Sequence, residues 1–118
     1  MITSGRDSDL RYDIKWVGRC TFEGSDKIWG WFIYTDPTES NRSNRSNPRY
    51  AYTFWARTGK TPSFKKHHYS AYNLKKLTDK KVDRKYSPIS QGELVNLWPR
   101  FFEDMDNKFI FHLLANDI

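Results

Sequence analysis

The sequence predicts an α+β domain in which strand-like segments come first and a helix follows. Strand-forming residues dominate four segments, 11–22, 27–35, 50–58 and 64–69. Segment 70–86 instead carries apolar residues at helical spacing. A chain of 118 residues suits one domain with a modest core. We therefore expect residues 1–118 to form a single domain with about four strands, one main helix, and a short C-terminal extension that is helix or strand.

The second segment, "KIWGWFIYT" at 27–35, is apolar at both odd and even positions. This pattern favours a central strand that is covered on both faces. Segment 11–22 precedes it across a short turn at 23–26, so the two are expected to be neighbours. Residues 1–9 are polar and predict a flexible N-terminus.

A polar loop, "DPTESNRSNRSNPR" at 36–49, separates the second and third strands. Its Ser-Asn-Arg units cannot bury a core, which predicts a mobile tip between two hairpin strands. The loop contains Arg42, Arg45 and Arg49. It therefore has two interpretations, a solvated insertion, which we favour, or a loop that touches phosphates.

The third segment, "YAYTFWART" at 50–58, alternates between two faces. The face with Tyr52 and Phe54 looks like core, whereas the other places Trp55 beside Arg57. A turn at 59–63 leads to a short fourth strand, "FKKHHY" at 64–69.

The helix predicted at 70–86 has Ser70 as its N-cap. Its basic residues Lys76, Lys80 and Arg84 recur every four positions opposite the apolar side, so we expect them to be exposed. Residues 87–93 look like a connector. Beyond them we prefer a helix at 99–106 with Pro99 in its first turn, and segment 108–117 fits either a strand or a helix.

Positive charge is concentrated in one part of the chain. The net charge is +6, yet Arg57 to Lys85 contains ten basic and two acidic residues, a local charge of +8. Such a block is typical of a site for a polyanion, although a solvated lysine-rich helix produces the same composition. A single cysteine, Cys20, forms no disulfide within the chain. With no signal-like or membrane-length apolar segment, we expect a cytoplasmic protein without membrane contact.

Enzymatic and metal chemistry have weak support. The "TGKT" at 58–61 resembles the end of a phosphate loop, but Phe54 stands where that loop needs glycine. Adjacent His67 and His68 point to opposite faces of a strand, and no zinc spacing exists. We expect no cofactor, no metal and no catalysis. A minor hypothesis of a metal-dependent nuclease rests on Glu103, Asp104 and Asp106 near Lys108, for which an exposed acidic turn is the preferred interpretation.

Basic and aromatic residues together favour nucleic-acid binding, because lysine and arginine attract phosphates and an exposed ring stacks on a base. Trp55 alone would more often be a core residue, but its charged neighbour Arg57 favours exposure. The predicted binding residues are Trp55, Arg57, Lys60, Lys65, Lys66, His67, Lys76, Lys80 and Arg84.

Residues 26–90 resemble a WGR domain, a family named after a Trp-Gly-Arg signature at the end of a strand that is usually followed by x-Gly. The matching positions are Trp55-Ala56-Arg57-Thr58-Gly59, with Ala56 in place of the central glycine. The resemblance implies a small, strongly twisted antiparallel sheet with a helix packed on it. It also implies binding of DNA breaks, with Trp55 at the DNA end and Arg57 relaying contacts.

Three functions remain open in order of preference. The first is a non-catalytic module that binds DNA rather than RNA, with little sequence preference, at ends, nicks or single strands. The second is a small regulatory or inhibitory adaptor, of the kind phages encode, whose basic face meets an acidic partner protein. The third is the small nuclease.

Overall fold

The computed structural model describes residues 12–35, 49–67 and 71–116, apart from the side chains of Arg49 and Asn116. The described residues form one antiparallel sheet from the strands β1 (Tyr12–Cys20), β2 (Lys27–Thr35), β3 (Arg49–Arg57), β4 (Ser63–His67) and β5 (Ser87–Pro88). They also form the helices α1 (Ala71–Asp83), α2 (Gln91–Leu97) and α3 (Phe101–Asn116). The α+β class is confirmed. The predictions for 1–9, for Ser70 and for the loop up to residue 48 lie outside the described residues.

The strand order across the sheet is β4-β3-β2-β1-β5, so β2 is central as its two apolar faces predicted. It pairs with β1 on one side and along its whole length with β3 on the other. The fifth strand has only two residues, which pair with Gly18 and Arg19. Its proline is tolerated because β5 lies at the sheet edge, and so short a strand has no sequence pattern to predict it.

The sheet is covered by helices on both faces. The larger core lies between the sheet and the helices α2 and α3, where Phe32 and Phe54 meet Phe101 and Phe109, all fully buried. The opposite face carries α1 over two smaller clusters, one around Trp29 and one around Leu74. We call these the α2/α3 face and the α1 face.

The C-terminal segment contributes more to the core than a short extension would. Predicted as a connector and a helix at 99–106, it instead forms two helices that begin at Gln91 and Phe101. Pro99 lies in the turn between them, not in the first turn of α3, and the ambiguous segment 108–117 is helical up to Asn116. By contrast, Leu74 is the one buried residue of α1. The helix predicted as the main one is thus more peripheral than α2 and α3.

A capping box sets the start of α2. The backbone N–H of Glu93 donates to Ser90 Oγ at 3.1 Å, and the Ser90 N–H donates to Glu93 Oε1 at 3.3 Å. This reciprocal pair satisfies two N–H groups that the first turn of a helix leaves without intrahelical partners. The Ser-x-x-Glu pattern at 90–93 is a helix-start signal in the sequence, and the interpretation of 87–93 as a connector is wrong for its last three residues.

Close packing of the central strands depends on Gly30. A Cβ at this position would lie 2.5 Å from the Trp16 carbonyl oxygen and 2.6 Å from the Phe54 ring. We expect Gly30→Ala to lower the free energy of unfolding by about 1–3 kcal/mol, because backbone and a buried ring must both shift. Urea denaturation measures this loss. If Gly30→Ala is as stable as the wild type, the strands accommodate the added methyl group with no loss in the free energy of unfolding.

Candidate functional site

The structure brings together four of the predicted binding residues on the α1 face. Trp55 and Arg57 extend from β3, and Lys65 and His67 extend from the neighbouring β4. Trp55 is 41 % exposed, whereas Ala51 on the same side of β3 is fully buried. The interpretation of Trp55 as an ordinary core tryptophan is therefore wrong.

Lys66 lies on the other side of the sheet. Side chains alternate along β4, and the Lys66 ammonium lies 3.9 Å from the ring centroid of Tyr50, which packs against the α2/α3 core. Lys66, one of the predicted binding residues, thus lies on the opposite face of the sheet from Lys65 and His67. Lys60 lies in the turn between β3 and β4, where its N–H donates to the Arg57 carbonyl at 2.9 Å.

The basic residues of the helix are exposed as expected, but they do not all reach Trp55. The Lys76 ammonium lies 4.7 Å from the centroid of the exposed Tyr72 ring. Lys80 is also exposed, and Arg84 follows the last residue of α1. The Arg84 carbonyl accepts a hydrogen bond from the Cys20 thiol at 3.7 Å, which places Arg84 beside β1.

A pocket of about 330 Å³ opens between β3, β4 and α1 beside the exposed tryptophan. We call it the Trp55 pocket. The residues that line it are Trp29, Thr53, Trp55, Lys65, His67, Leu77 and Lys81. It thus combines two indole rings, an aliphatic side chain, a hydroxyl group, two ammonium groups and an imidazole in one concave surface.

Four lining residues, Trp29, Thr53, Leu77 and Lys81, are absent from the predicted set. Thr53 lies on the same face of β3 as Trp55. Trp29 lies directly opposite Trp55 in the β2–β3 register, a relation that appears only once the two strands are paired. Leu77 belongs to the apolar side of α1, and that side faces the pocket. Lys81 follows Lys80 and is not part of the exposed row of Lys76, Lys80 and Arg84. Its position next to the sheet is therefore not predicted by that row.

Positive charge accumulates next to the pocket. Lys27 lies directly opposite Arg57 in the register, and like charges in this position repel. Burial, followed by the charges of Arg84 and Lys27, lowers the pKa of Lys81. We call Lys27, Arg57, Lys65, Lys81 and Arg84 the cationic patch. None of the salt bridges within the described residues includes a member of it.

Asp26, a carboxylate beside Lys27 and Arg57, is already engaged in hydrogen bonds. Asp26 accepts two hydrogen bonds from Arg19, at 2.9 and 3.0 Å, and a third from the Thr58 hydroxyl at 2.7 Å. These bonds from Arg19 and then Thr58 lower the pKa of Asp26. Asp26 thereby anchors the turn that follows Arg57, because its carbonyl also accepts from the Thr58 N–H at 3.0 Å.

The structure explains why two positions of the Trp-x-Arg-x-Gly segment hold glycine and alanine. Gly59 adopts a φ of +81°, in the left-handed region that favours glycine, as the turn toward β4 requires. Ala56 is 8 % exposed and belongs to the α2/α3 core. A methyl group here, in place of the glycine of the WGR signature, fills core volume on the face away from the pocket.

The acidic residues proposed for the nuclease are used within the fold. Asp106 is fully buried and accepts a 2.7 Å hydrogen bond from Tyr12, so it is not part of an exposed turn. Asp104 accepts from the Trp98 indole at 2.8 Å, and Glu103 pairs with Arg100. Within the described parts of the chain, no three His, Cys, Asp or Glu side chains are grouped as metal ligands.

His67 is held in the pocket wall by a 2.9 Å hydrogen bond between its Nε2 and Thr53 Oγ1. Partial burial, and then the charge of Lys65, lowers the pKa of His67. The folded protein therefore takes up a proton at His67 less readily than the unfolded chain does. As pH falls through about 6.5, the unfolded state gains protons first and the free energy of unfolding decreases.

We expect the wild type to lose more stability than His67→Gln between neutral pH and about pH 5.5. Urea denaturation of both proteins across this range measures the difference. His112, whose pKa burial also lowers, is present in both proteins and cancels in the comparison. Parallel pH profiles would contradict the effect.

Comparisons with protein-family models, with curated proteins and with solved structures returned no match for this chain. The resemblance to a WGR domain thus stays a prediction. Among the described residues, no helix has the length and apolar composition needed to cross a bilayer. The function proposed below is supported by the geometry and charge of the α1 face.

Proposed function

We propose that this protein is a non-catalytic, intracellular DNA-binding module with little sequence preference, and that it binds through the α1 face. The observation that carries the proposal is the 41 % exposed indole of Trp55 beside the cationic patch. An exposed ring is a platform for a base or sugar, and the surrounding cations attract the phosphates next to it.

The charge arrangement favours a polyanion over a neutral ligand. Lys27 and Arg57 face each other across two strands, and Lys81 carries a lowered pKa near them. Keeping these charges together is unfavourable in the free protein, and a phosphate placed between them relieves that repulsion. DNA supplies closely spaced phosphates and gains the entropy of released counterions.

The proposal narrows the predicted set of binding residues. Trp55, Arg57, Lys65 and His67 surround the pocket or its rim, with Lys60 in the adjoining turn and Arg84 at the end of the helix. Lys76 and Lys80 extend the positive field along α1. Lys66 is excluded from direct contact because it lies on the α2/α3 face.

Lys65 and Lys66 provide a matched pair for the test. They are adjacent, both exposed and equally charged, yet they point to opposite faces of β4. We expect Lys65→Gln to weaken binding of labelled DNA and to reduce the salt slope of log K by about 0.7–0.9, the loss of one phosphate contact. Lys66→Gln should leave the slope within error of the wild type.

Fluorescence anisotropy between about 50 and 200 mM salt gives both quantities. Equal slopes for the two variants would place the contact surface elsewhere. Absence of binding to any DNA at the lowest salt would refute the proposal as a whole. A pull-down before and after nuclease treatment would then test the acidic-partner hypothesis.

A further inference from the structure

We propose that the Trp55 pocket holds one unpaired nucleotide, so that the protein prefers single-stranded DNA or strand overhangs to intact duplex. This inference rests on the proposed DNA-binding function and specifies which form of DNA the α1 face accepts. The base would lie against the Trp55 indole, and the phosphate would lie between the ammonium groups of Lys65 and Lys81.

The size and walls of the pocket favour a single nucleotide. Its volume of about 330 Å³ lies at the lower end of the range for small-molecule sites. Strand β4 bounds one side through Lys65 and His67, and helix α1 bounds the other through Leu77 and Lys81. A base inside a duplex is stacked above and below and joined to its partner, so its face can lie against the Trp55 indole only when the base is unpaired.

The chemistry of the lining matches the two parts of a nucleotide. Trp55 offers an aromatic surface and Leu77 an aliphatic one, which suit the faces of a base. The two lysines approach from opposite walls. The Lys81 ammonium lies 5.6 Å from the ring centroids of Trp29 and Tyr86, partly withdrawn from water, and an anion bound there would compensate that desolvation.

Polar groups at the back of the pocket can limit which base edges are accepted. Thr53 Oγ1 and His67 Nε2 share one hydrogen bond. A hydroxyl group can make more than one, so Thr53 Oγ1 can form a further hydrogen bond to a base. Stacking is tolerant of sequence because every base has a π-face. The pocket should thus discriminate unpaired from paired bases more strongly than it discriminates one type of base from another.

The test compares three DNAs at one salt concentration by competition anisotropy. These are an oligothymidine of about 12 nucleotides, a blunt duplex, and the same duplex with a single-stranded overhang. We expect the oligothymidine and the overhang to bind about ten-fold more tightly than the blunt duplex, the size of one base-stacking contact. Equal affinities for all three would overturn the inference while leaving the proposed function intact.

A pocket-filling variant provides a second measurement. Leu77→Phe adds volume toward the Trp55 pocket while keeping Trp55 and every member of the cationic patch. We expect it to lose the preference for unpaired DNA, with a thermal melt as the control for folding. A preserved preference in the folded variant would overturn the inference. If Leu77→Phe does not fold, the comparison of the three DNAs with the wild type decides.

Discussion

Replacing Phe109 by alanine is expected to lower the free energy of unfolding by about 3–5 kcal/mol, the usual cost of removing a buried phenylalanine. Phe109 lies on α3 and is 1 % exposed. Its ring centroid lies 4.9 Å from that of Tyr52, 5.0 Å from Phe32 and 5.1 Å from Tyr34. Removal of the ring leaves a cavity between α3 and the middle of the sheet, and rigid aromatic neighbours cannot collapse to fill it.

Phe111 is the matched control, because it lies two positions later on the same helix and is 67 % exposed. Phe111→Ala should change stability by no more than about 0.5 kcal/mol. Urea denaturation of both variants, with the m-value checked against the wild type, measures the effect. Equal stabilities would show that α3 does not hold the core in solution.

The second large effect is expected on DNA affinity. Trp55→Ala should weaken DNA binding about ten-fold or more, the range found when a stacking aromatic is removed. Its salt slope should match that of the wild type, because the change removes a ring and no charge. This combination separates stacking from phosphate attraction, since Lys65→Gln is expected to reduce the slope. Trp55→Phe, which keeps a smaller ring, should lie between the wild type and alanine.

Anisotropy titrations over the same salt range provide these values, and Phe111→Ala supplies an exposed aromatic residue outside the proposed site as control. A folded Trp55→Ala protein with wild-type affinity would refute the role of the indole. Weakening of equal size in Phe111→Ala would show a general effect of exposed aromatic residues rather than a site on the α1 face.

The two substitutions act on opposite faces of the same sheet. Phe109 belongs to the α2/α3 core, whereas Trp55 lies at the rim of the α1 face, where the pocket is open to solvent. We expect their effects on stability to be independent, because the two residues share no packing partner in the described contacts. We therefore expect stability and DNA binding to be separable in this protein, with the larger core on one face and the proposed binding surface on the other.

Local patterns were sufficient to predict most of the elements before residue 84. The strand 27–35 was predicted with the observed bounds, and its two apolar faces indicated that it is central. Alternation in β3 correctly separated the face of Phe54 from that of Trp55. These predictions succeeded because strand and helix periodicity are properties of neighbouring residues in the chain.

The C-terminal helices were harder to predict. Segment 108–117 is rich in aromatic and aliphatic residues, which fit a strand or a helix equally well over so short a length. Packing of Phe101, Met105 and Phe109 against the α2/α3 face is what makes the helical form favourable. Tertiary packing decides that preference, although the four-residue spacing of Phe101, Met105 and Phe109 is also a local helical signal.

By itself, the sequence determined the α+β class, the central strand and the concentration of positive charge between Arg57 and Lys85. Only the tertiary structure decided which of these charges share a surface. Pairing of β2 with β3 brings Lys27 opposite Arg57, and packing of α1 brings Lys81 toward Trp29, while β4 turns Lys66 away. The physical reason is that a local sequence pattern determines only on which face of its own helix or strand a side chain lies. The neighbours it meets there depend on contacts between residues far apart in the chain.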